Sequence, residues 1–208
     1  MESDQQKAIR DFCRARGIWI VADEVYGRLV YDRRVAPSFL EIAEPDDPIV
    51  VVNSFSKSWA MTGWRMGWLT HPVSLTEKIG DLVEYNTSGT PEFLQEAGIG
   101  AVRDGEDTVA AMVERCRAGR DAASQRLSAM PRVIYSPPAA AFYAFFKIDG
   151  MENSLDFAKR LATEFKVGVA PGTAFGPSGE GWLRLCFAQS PERIDEAMSR
   201  LERALAEA

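Results

Sequence analysis

Two apolar segments constrain the fold more than any other feature of this sequence. "IWIVA" at residues 18–22 and "IVVV" at residues 49–52 are apolar at every position, a pattern typical of strands buried on both faces of a parallel sheet. "WRMGWLT" at residues 64–70 predicts a third strand. Stretches with helical spacing of apolar residues alternate with these strands. We therefore predict an α/β fold with a partial, mostly parallel sheet and flanking helices.

The second half of the chain predicts a smaller α+β unit. After a long amphipathic helix, the segments "RVIYS", "AAFYAFFKI" and "GWLRLCFA" predict strands. Residues 154–165 predict a helix, and a last helix begins at Ser190-Pro191. We place a domain boundary inside the long helix, so that residues 1–113 form part of a large domain and residues 114–208 form a small carboxyl-terminal domain.

Composition excludes several classes of partner. The 208 residues carry a net charge of −6, whereas binding to nucleic acid phosphates requires a basic surface. No apolar run approaches the roughly 20 residues of a membrane span. The three cysteines, Cys13, Cys116 and Cys186, lack the spacing of a metal site. We expect no metal, membrane or nucleic acid partner, reduced thiols and a cytoplasmic location, and we assign the single histidine, His71, a structural role.

Polar side chains follow the two apolar strands. Asp23 comes directly after the first strand, and Ser54, Ser56 and Lys57 follow the second. In open parallel sheets, ligands bind at the carboxyl ends of the strands. Tyr26, three residues after Asp23, can face the same edge from a tight turn. An isolated Asp at this position could simply cap the turn, but the other polar groups favour a binding site.

The types of these side chains suggest a particular ligand. Lys57 lies among aromatic and apolar residues, where an ammonium is costly to bury and a neutral amine is a nucleophile toward aldehydes. A carboxylate such as Asp23 stabilises a protonated pyridine nitrogen, and the phenol of Tyr26 can hydrogen-bond an oxyanion on that ring. The hydroxyl of Ser54 and the guanidinium of Arg65 suit a phosphate monoester. Together they predict a pyridoxal 5′-phosphate site.

The same residues carry a resemblance to a known family. "VADEVYGRLVYD" at residues 21–32 and "NSFSKSWAMTGWRMGW" at residues 53–68 resemble the two signature stretches of fold-type I, class I/II (aspartate aminotransferase-like) aminotransferases. The 34 positions between Asp23 and Lys57 fit that family's spacing. The resemblance covers essentially the whole chain but only the carboxyl-terminal half of the family pattern. It implies the pyridoxal-phosphate transferase fold, with the large domain binding the cofactor.

The resemblance also implies a role for each site residue. Lys57 would be catalytic, forming the Schiff base with the cofactor and transferring the proton. Asp23 would hold the pyridine nitrogen, and Tyr26 the 3′-oxygen. Ser54 and Arg65 would bind the phosphate. Ser56 also belongs to the cofactor-binding set, with a role in shaping the turn as the alternative.

Further along the chain, "VGVAPGTAFGPSGEGWLRLCFA" is similar to the family's small-domain segment, whose arginine binds the substrate α-carboxylate. That role falls on Arg184, with a salt bridge to a nearby carboxylate as the alternative. Tyr143 is expected to pack rather than to act in catalysis, with a position at the border of the substrate site as the alternative. Residues 86–90, in "YNTSGTP", resemble a loop that reaches the phosphate of the partner subunit, which implies a homodimer. In "PPAAAFYAF", alanines stand at residues 139–141, where relatives often carry a glycine.

The predicted function is pyridoxal-phosphate-dependent transamination between an amino acid and a 2-oxo acid, with this chain as the carboxyl-terminal half of the enzyme. A β-eliminating lyase of the same fold shares every residue named above. A truncated module without catalytic activity, or the effector domain of a transcription regulator, is the alternative from another class. Because the half of the family pattern that supplies the ring-stacking residue is missing, we expect the chain alone to associate or to bind cofactor weakly.

Overall fold

The structure is a computed structural model that describes residues 1–207. The chain divides into two compact units, one formed by Met1–Val113 and the other beginning at Glu114. Helix α4 (Glu106–Ala129) contains the boundary between them. Across residues 1–207, no helix is both long enough and apolar enough to cross a bilayer.

The first unit contains a three-stranded sheet and three complete helices. Its strands are β1 (Ile20–Asp23), β2 (Ile49–Ser54) and β3 (Gly67–Thr70), in the order β1-β2-β3. Its helices are α1 (Ser3–Arg14), α2 (Thr76–Thr87) and α3 (Glu92–Asp104). The predicted α/β fold class is confirmed.

The strand directions differ in one respect from a fully parallel layer. Strands β1 and β2 are parallel, with Asp23 opposite Val52, but β3 runs antiparallel to β2, with Gly67 opposite Ser54. The connection between β2 and β3 contains only a short 3₁₀ turn at Thr62–Trp64. A parallel crossover usually needs an α-helix in the connection, and this segment provides none.

The first sheet is buried on one face only. Ala22, Ile49 and Val51 form a core cluster with Phe39. On the opposite face, Val21 is 70% exposed and Leu69 is 43% exposed. All four residues of β3, which alternate between the two faces, are exposed. The prediction that the first strand is buried on both faces is therefore wrong for the described chain, because only one face of the sheet is covered within it.

The second unit is built on a four-stranded antiparallel sheet. Its strands are β4 (Val133–Tyr135), β5 (Tyr143–Ile148), β6 (Ala170–Pro171) and β7 (Trp182–Cys186), in the order β4-β5-β7-β6. Its helices, besides the end of α4, are α5 (Ser154–Thr163) and α6 (Pro191–Ala206). One face of this sheet lies in the core through fully buried side chains that include Ala144, Phe146 and Leu183.

A glycine permits the closest approach in this second unit. A Cβ atom added at Gly119 of α4 would lie 2.0 Å from the carbonyl oxygen of Phe187, directly after β7. Any side chain at Gly119 would therefore push the helix away from the strand end, and Phe187 itself is fully buried.

An ion pair fixes helix α1 to the rest of the first unit. Arg14 donates to both carboxylate oxygens of Asp47, at 2.7 and 2.6 Å, and the backbone N–H of Glu44 donates to the same carboxylate at 2.8 Å. Asp47 is only 5% exposed. The hydrogen bond from Arg14, with the smaller help of the Glu44 N–H, holds the pKa of Asp47 below its ordinary value.

Asp47 is therefore expected to make stability depend on acid pH. A carboxyl whose pKa is lower in the folded state stabilises the protein above its unfolded pKa of about 3.9, and this contribution is lost as the pH falls through the folded value. Asp47→Asn should lower the free energy of unfolding at pH 7 by about 1–3 kcal/mol, and the difference from wild type should shrink below about pH 4.

The measurement is urea unfolding at pH 7 and at pH 3. Asp46→Asn is the matched control, since Asp46 is the exposed neighbour of Asp47. A difference between Asp47→Asn and wild type that is equally large at both pH values would contradict the role given to this ion pair.

Candidate active site

Strand register places two of the predicted site residues on one face of the first sheet. Asp23 is the last residue of β1 and lies opposite Val52, and Ser54 ends β2 two residues later. Residues paired across a ladder share a face, as do residues two positions apart. Asp23 and Ser54 therefore lie on the same face, at the carboxyl end of the parallel pair.

Asp23 also shapes the turn that follows β1. Its Oδ1 accepts a hydrogen bond from the backbone N–H of Val25 at 3.2 Å, so the capping role considered for an isolated Asp is present. The side chain is nevertheless exposed at the end of the strand. One carboxylate oxygen serves the turn, and the carboxylate remains accessible to a ligand.

The turns after the two parallel strands bring Lys57 and Tyr26 together. The Nζ atom of Lys57 lies 6.0 Å from the centre of the Tyr26 ring, and both side chains are half-buried. Since Tyr26 follows β1 and Lys57 follows β2, the amine and the phenol meet at the edge predicted from the sequence.

Ser54, Ser56 and Arg65 line a single cavity of about 440 Å³. Ser54 Oγ accepts a hydrogen bond from the backbone N–H of Ser56 at 3.0 Å and lies 2.9 Å from Ser56 Oγ. Arg65 is exposed, has a left-handed backbone with φ of 53°, and donates to the carbonyl of Thr62 at 2.8 Å. Two hydroxyls and a guanidinium with further N–H groups are a donor set that fits a phosphate monoester.

Sequence reasoning missed the position of His71, which lines the same cavity. Its Nδ1 lies 2.9 Å from the carbonyl oxygen of Pro72. Residues 67, 69 and 71 share a face in an extended chain, but it is the antiparallel pairing of Gly67 with Ser54 that brings this face to the site, and the sequence does not determine that pairing.

The aromatic residues that flank Lys57 in the sequence form a cluster that supports its turn, and Trp68 of β3 joins them. The ring of Phe55 lies 5.2 Å from that of Trp59 and 5.1 Å from that of Trp68, and Phe55 is buried. The indole N–H of Trp59 donates to the carbonyl of Ala101 in α3 at 2.8 Å. The turn that carries Lys57 is thus anchored on both sides by packed rings.

In the second unit, Arg184 lies in β7 opposite Phe145 of β5. Its guanidinium carbon is 4.3 Å from the centre of the Tyr143 ring and 4.2 Å from that of Phe175. Among residues 1–207, no salt bridge includes Arg184. The alternative of a salt bridge to a nearby carboxylate is therefore not observed in this part of the chain.

Two loop segments singled out in the sequence have unusual backbones. Helix α2 includes residues 86 and 87 and ends at Ser88, which has φ of 55° and donates its N–H to Glu84. In the alanine segment, Ala141 has φ of 61°, a conformation that is costly for a residue with a Cβ atom.

The chain is similar to proteins of one known family. The sequence profile described as aminotransferase class I and II matches residues 1–201. An aspartate aminotransferase of Pyrococcus horikoshii is 36% identical over 208 residues, which cover 99% of this chain and 53% of that protein. An aromatic-amino-acid aminotransferase 2 of Thermococcus litoralis is 36% identical over 204 residues, covering 96% of this chain and 52% of that protein.

A solved structure shows the same relation in three dimensions. The crystal structure of an aromatic aminotransferase from Pyrococcus horikoshii OT3 matches with a TM-score of 0.92 and 32% sequence identity, over 100% of this chain and 56% of that chain. The chain spans about half the length of the curated relatives that it matches. From its sequence and its fold, this chain belongs to the class I and II aminotransferase family, of which it represents the carboxyl-terminal half.

Proposed function

We propose that this chain is the carboxyl-terminal half of a pyridoxal-phosphate-dependent aminotransferase, which moves the amino group of an amino acid to a 2-oxo acid. The observation that carries the proposal is the half-buried Lys57, which lies in the turn after β2 with its Nζ atom 6.0 Å from the centre of the Tyr26 ring. The family match and the names of the relatives, aspartate and aromatic-amino-acid aminotransferases, support transamination.

The family implies pyridoxal 5′-phosphate, and the residues present fit it. The hydroxyls of Ser54 and Ser56 and the guanidinium of Arg65 would hold the phosphate, since all three line one cavity. Asp23 would pair with the pyridine nitrogen, and the phenol of Tyr26 would donate to the ring oxygen. When bound, the cofactor supplies an electron sink for the bonds of the amino acid that react.

Lys57 has two tasks in this proposal. Its Nζ atom would hold the cofactor at its aldehyde carbon before substrate arrives. Once displaced by the substrate amine, the same Nζ would accept the proton from the α-carbon of the amino acid, acting as a general base. It would then donate this proton to the carbon that had been the cofactor's aldehyde carbon, acting as a general acid. The packed rings of Phe55 and Trp59 fix the turn that carries it.

The first unit would bind the cofactor, and the second would bind the carboxylate of the substrate. The cofactor-binding residues all belong to Met1–Val113, which supports residues 1–113 as part of the large cofactor-binding domain. Residues 114–208 would form the small domain, in which Arg184 binds the α-carboxylate through its fork of N–H donors.

Arg184→Ala should mainly weaken amino-acid binding. A hydrogen-bonded contact with a charged group is worth about 1.5–3 kcal/mol, so the Michaelis constant should rise roughly ten- to a hundredfold. The measurement is steady-state kinetics in an enzyme that contains this chain. Arg193→Ala, which removes an exposed arginine of α6, is the control. An unchanged Michaelis constant for Arg184→Ala would remove the substrate role from this residue.

A β-eliminating lyase would use the same residues, but the relatives' names favour an aminotransferase. The two are separated by measuring keto-acid formation with and without an added 2-oxo acid. An aminotransferase stops after one turnover when no amino acceptor is present, whereas a lyase continues.

We further propose a cytoplasmic homodimer. The residues that flank the loop at residues 88–90 expose large apolar side chains, since Tyr85 is 92% exposed and Phe93 is 71% exposed. Apolar surface of this kind is typical of an interface between subunits. Its position agrees with the resemblance of residues 86–90 to a loop that reaches the partner subunit.

A further inference from the structure

We propose that Tyr143 and Phe175 are positioning residues that hold the guanidinium of Arg184 ready for the carboxylate of the substrate. The inference rests on the proposed function of Arg184. It starts from two distances, 4.3 Å from the guanidinium carbon to the centre of the Tyr143 ring and 4.2 Å to that of Phe175. Two rings thus contact the same planar group.

The position of Arg184 in the strand explains why it needs such support. Its neighbours Leu183 and Leu185 point into the core of the second unit, so Arg184 lies on the opposite face of the sheet. There a long side chain with many rotamers would have to be ordered each time a carboxylate binds. Among residues 1–207, no carboxylate pairs with it, so the rings provide the ordering.

Stacking restrains the guanidinium without using its hydrogen-bond donors. A ring contacts the flat face of the group, whereas the five N–H donors lie in its plane and point outward from its edge. A guanidinium whose face contacts aromatic rings can therefore still form two parallel hydrogen bonds with a carboxylate. An internal carboxylate would order Arg184 equally well, but it would compete with the substrate.

Phe175 is itself held in place by other rings. It makes an edge contact with Phe145 at 6.1 Å, and Phe145 stacks on Trp182 at 4.9 Å with an interplanar angle of 10°. Phe175 remains 51% exposed within the described residues, and its ring contacts the guanidinium of Arg184.

Tyr143 reaches Arg184 from the neighbouring strand. It begins β5 and lies opposite Cys186, one diagonal step from Arg184 on the same face, within reach of an aromatic side chain. The left-handed backbone of Ala141, two residues earlier, sets the direction in which the chain enters β5. Ala141, which stands in the segment where relatives often carry a glycine, is therefore two residues from Tyr143, whose ring contacts Arg184.

The test uses propionate, which shares only its carboxylate with an amino acid, as a competitive inhibitor of an enzyme that contains this chain. Phe175→Leu and Tyr143→Leu should each weaken propionate binding about three- to tenfold, the usual size of a cation–π contact. Phe175→Tyr should retain wild-type binding, because it keeps the ring.

A double-mutant cycle separates positioning from a general structural effect. In an Arg184→Gln background, Phe175→Leu should have no further effect on propionate, because the guanidinium that the ring holds is gone. Phe12→Leu is the matched control. Phe12 is 53% exposed, and the centre of its ring lies 3.8 Å from the guanidinium carbon of a different arginine, Arg16. It should leave propionate binding unchanged.

The outcomes distinguish this inference from the proposed function. If Arg184→Gln leaves propionate binding unchanged, the carboxylate role of Arg184 fails, and this inference fails with it. If Arg184→Gln weakens binding but neither Phe175→Leu nor Tyr143→Leu does, only the positioning role is overturned. An equal loss from Phe175→Leu with and without Arg184 would also overturn it, since the ring would then act independently of the guanidinium.

Discussion

Lys57→Ala, in an enzyme that contains this chain, should lower the rate of transamination by at least about 10²–10⁴-fold, the contribution expected of a positioned acid or base. The loss should exceed that of any other single substitution in the site, because the same Nζ atom would both hold the cofactor and move the proton. The measurement is single-turnover conversion of an amino acid to its 2-oxo acid.

Two further variants make this prediction specific. Lys57→Arg retains the positive charge but replaces the nucleophilic amine, so it should be nearly as inactive as Lys57→Ala. Lys78→Ala, which removes an exposed lysine of α2, should behave like wild type. Substantial activity in Lys57→Ala would mean that another group transfers the proton.

The second large effect concerns the 208-residue chain by itself. We expect it either to associate in solution or to bind pyridoxal phosphate weakly, and in both cases to fall far short of ordinary aminotransferase turnover. The first sheet has only three strands, and the uncovered side chains on it include Val21 at 70% and Leu69 at 43% exposure. Unpaired strand edges with apolar side chains favour association.

The comparison with relatives supports the same expectation, because the chain spans about half of their length. The test measures the mass of the chain in solution and its turnover with added cofactor. A monodisperse monomer with ordinary turnover would show that the uncovered face needs no further polypeptide. Adding the corresponding amino-terminal half of a relative as a separate polypeptide should increase cofactor affinity.

The strands and their polar ends could be predicted because local sequence determines them. The run at residues 49–52 is apolar at each position, and the polar residues that follow it can only lie at the carboxyl end of the strand. The direction of β3 and the exposure of Val21 could not be predicted in this way. The direction of β3 depends on the short connection from β2. The exposure of Val21 depends on which other segments cover the sheet, and a local sequence pattern does not determine this.

In the site, too, some features follow from local sequence and others depend on how distant segments pair. Asp23 ends β1, and Tyr26 and Lys57 follow β1 and β2, which pair in parallel, so their position at one end of these strands follows from topology. The contact between Arg184 and Phe175 joins two segments through a turn at Gly172–Phe175, and Tyr143 reaches Arg184 only because β5 and β7 pair in one register. Sequence spacing does not determine that register, so the contact between Tyr143 and Arg184 is not predicted by the sequence.

The most direct test of the central claim is to locate the cofactor on the chain. An enzyme that contains this chain is incubated with pyridoxal phosphate, reduced with borohydride, digested and examined by mass spectrometry. The chain has six lysines, and the account predicts that the pyridoxyl group is found on Lys57 and is lost in Lys57→Arg. A label on another lysine of this chain in place of Lys57 in an active enzyme, or an active enzyme with no label on Lys57, would contradict it.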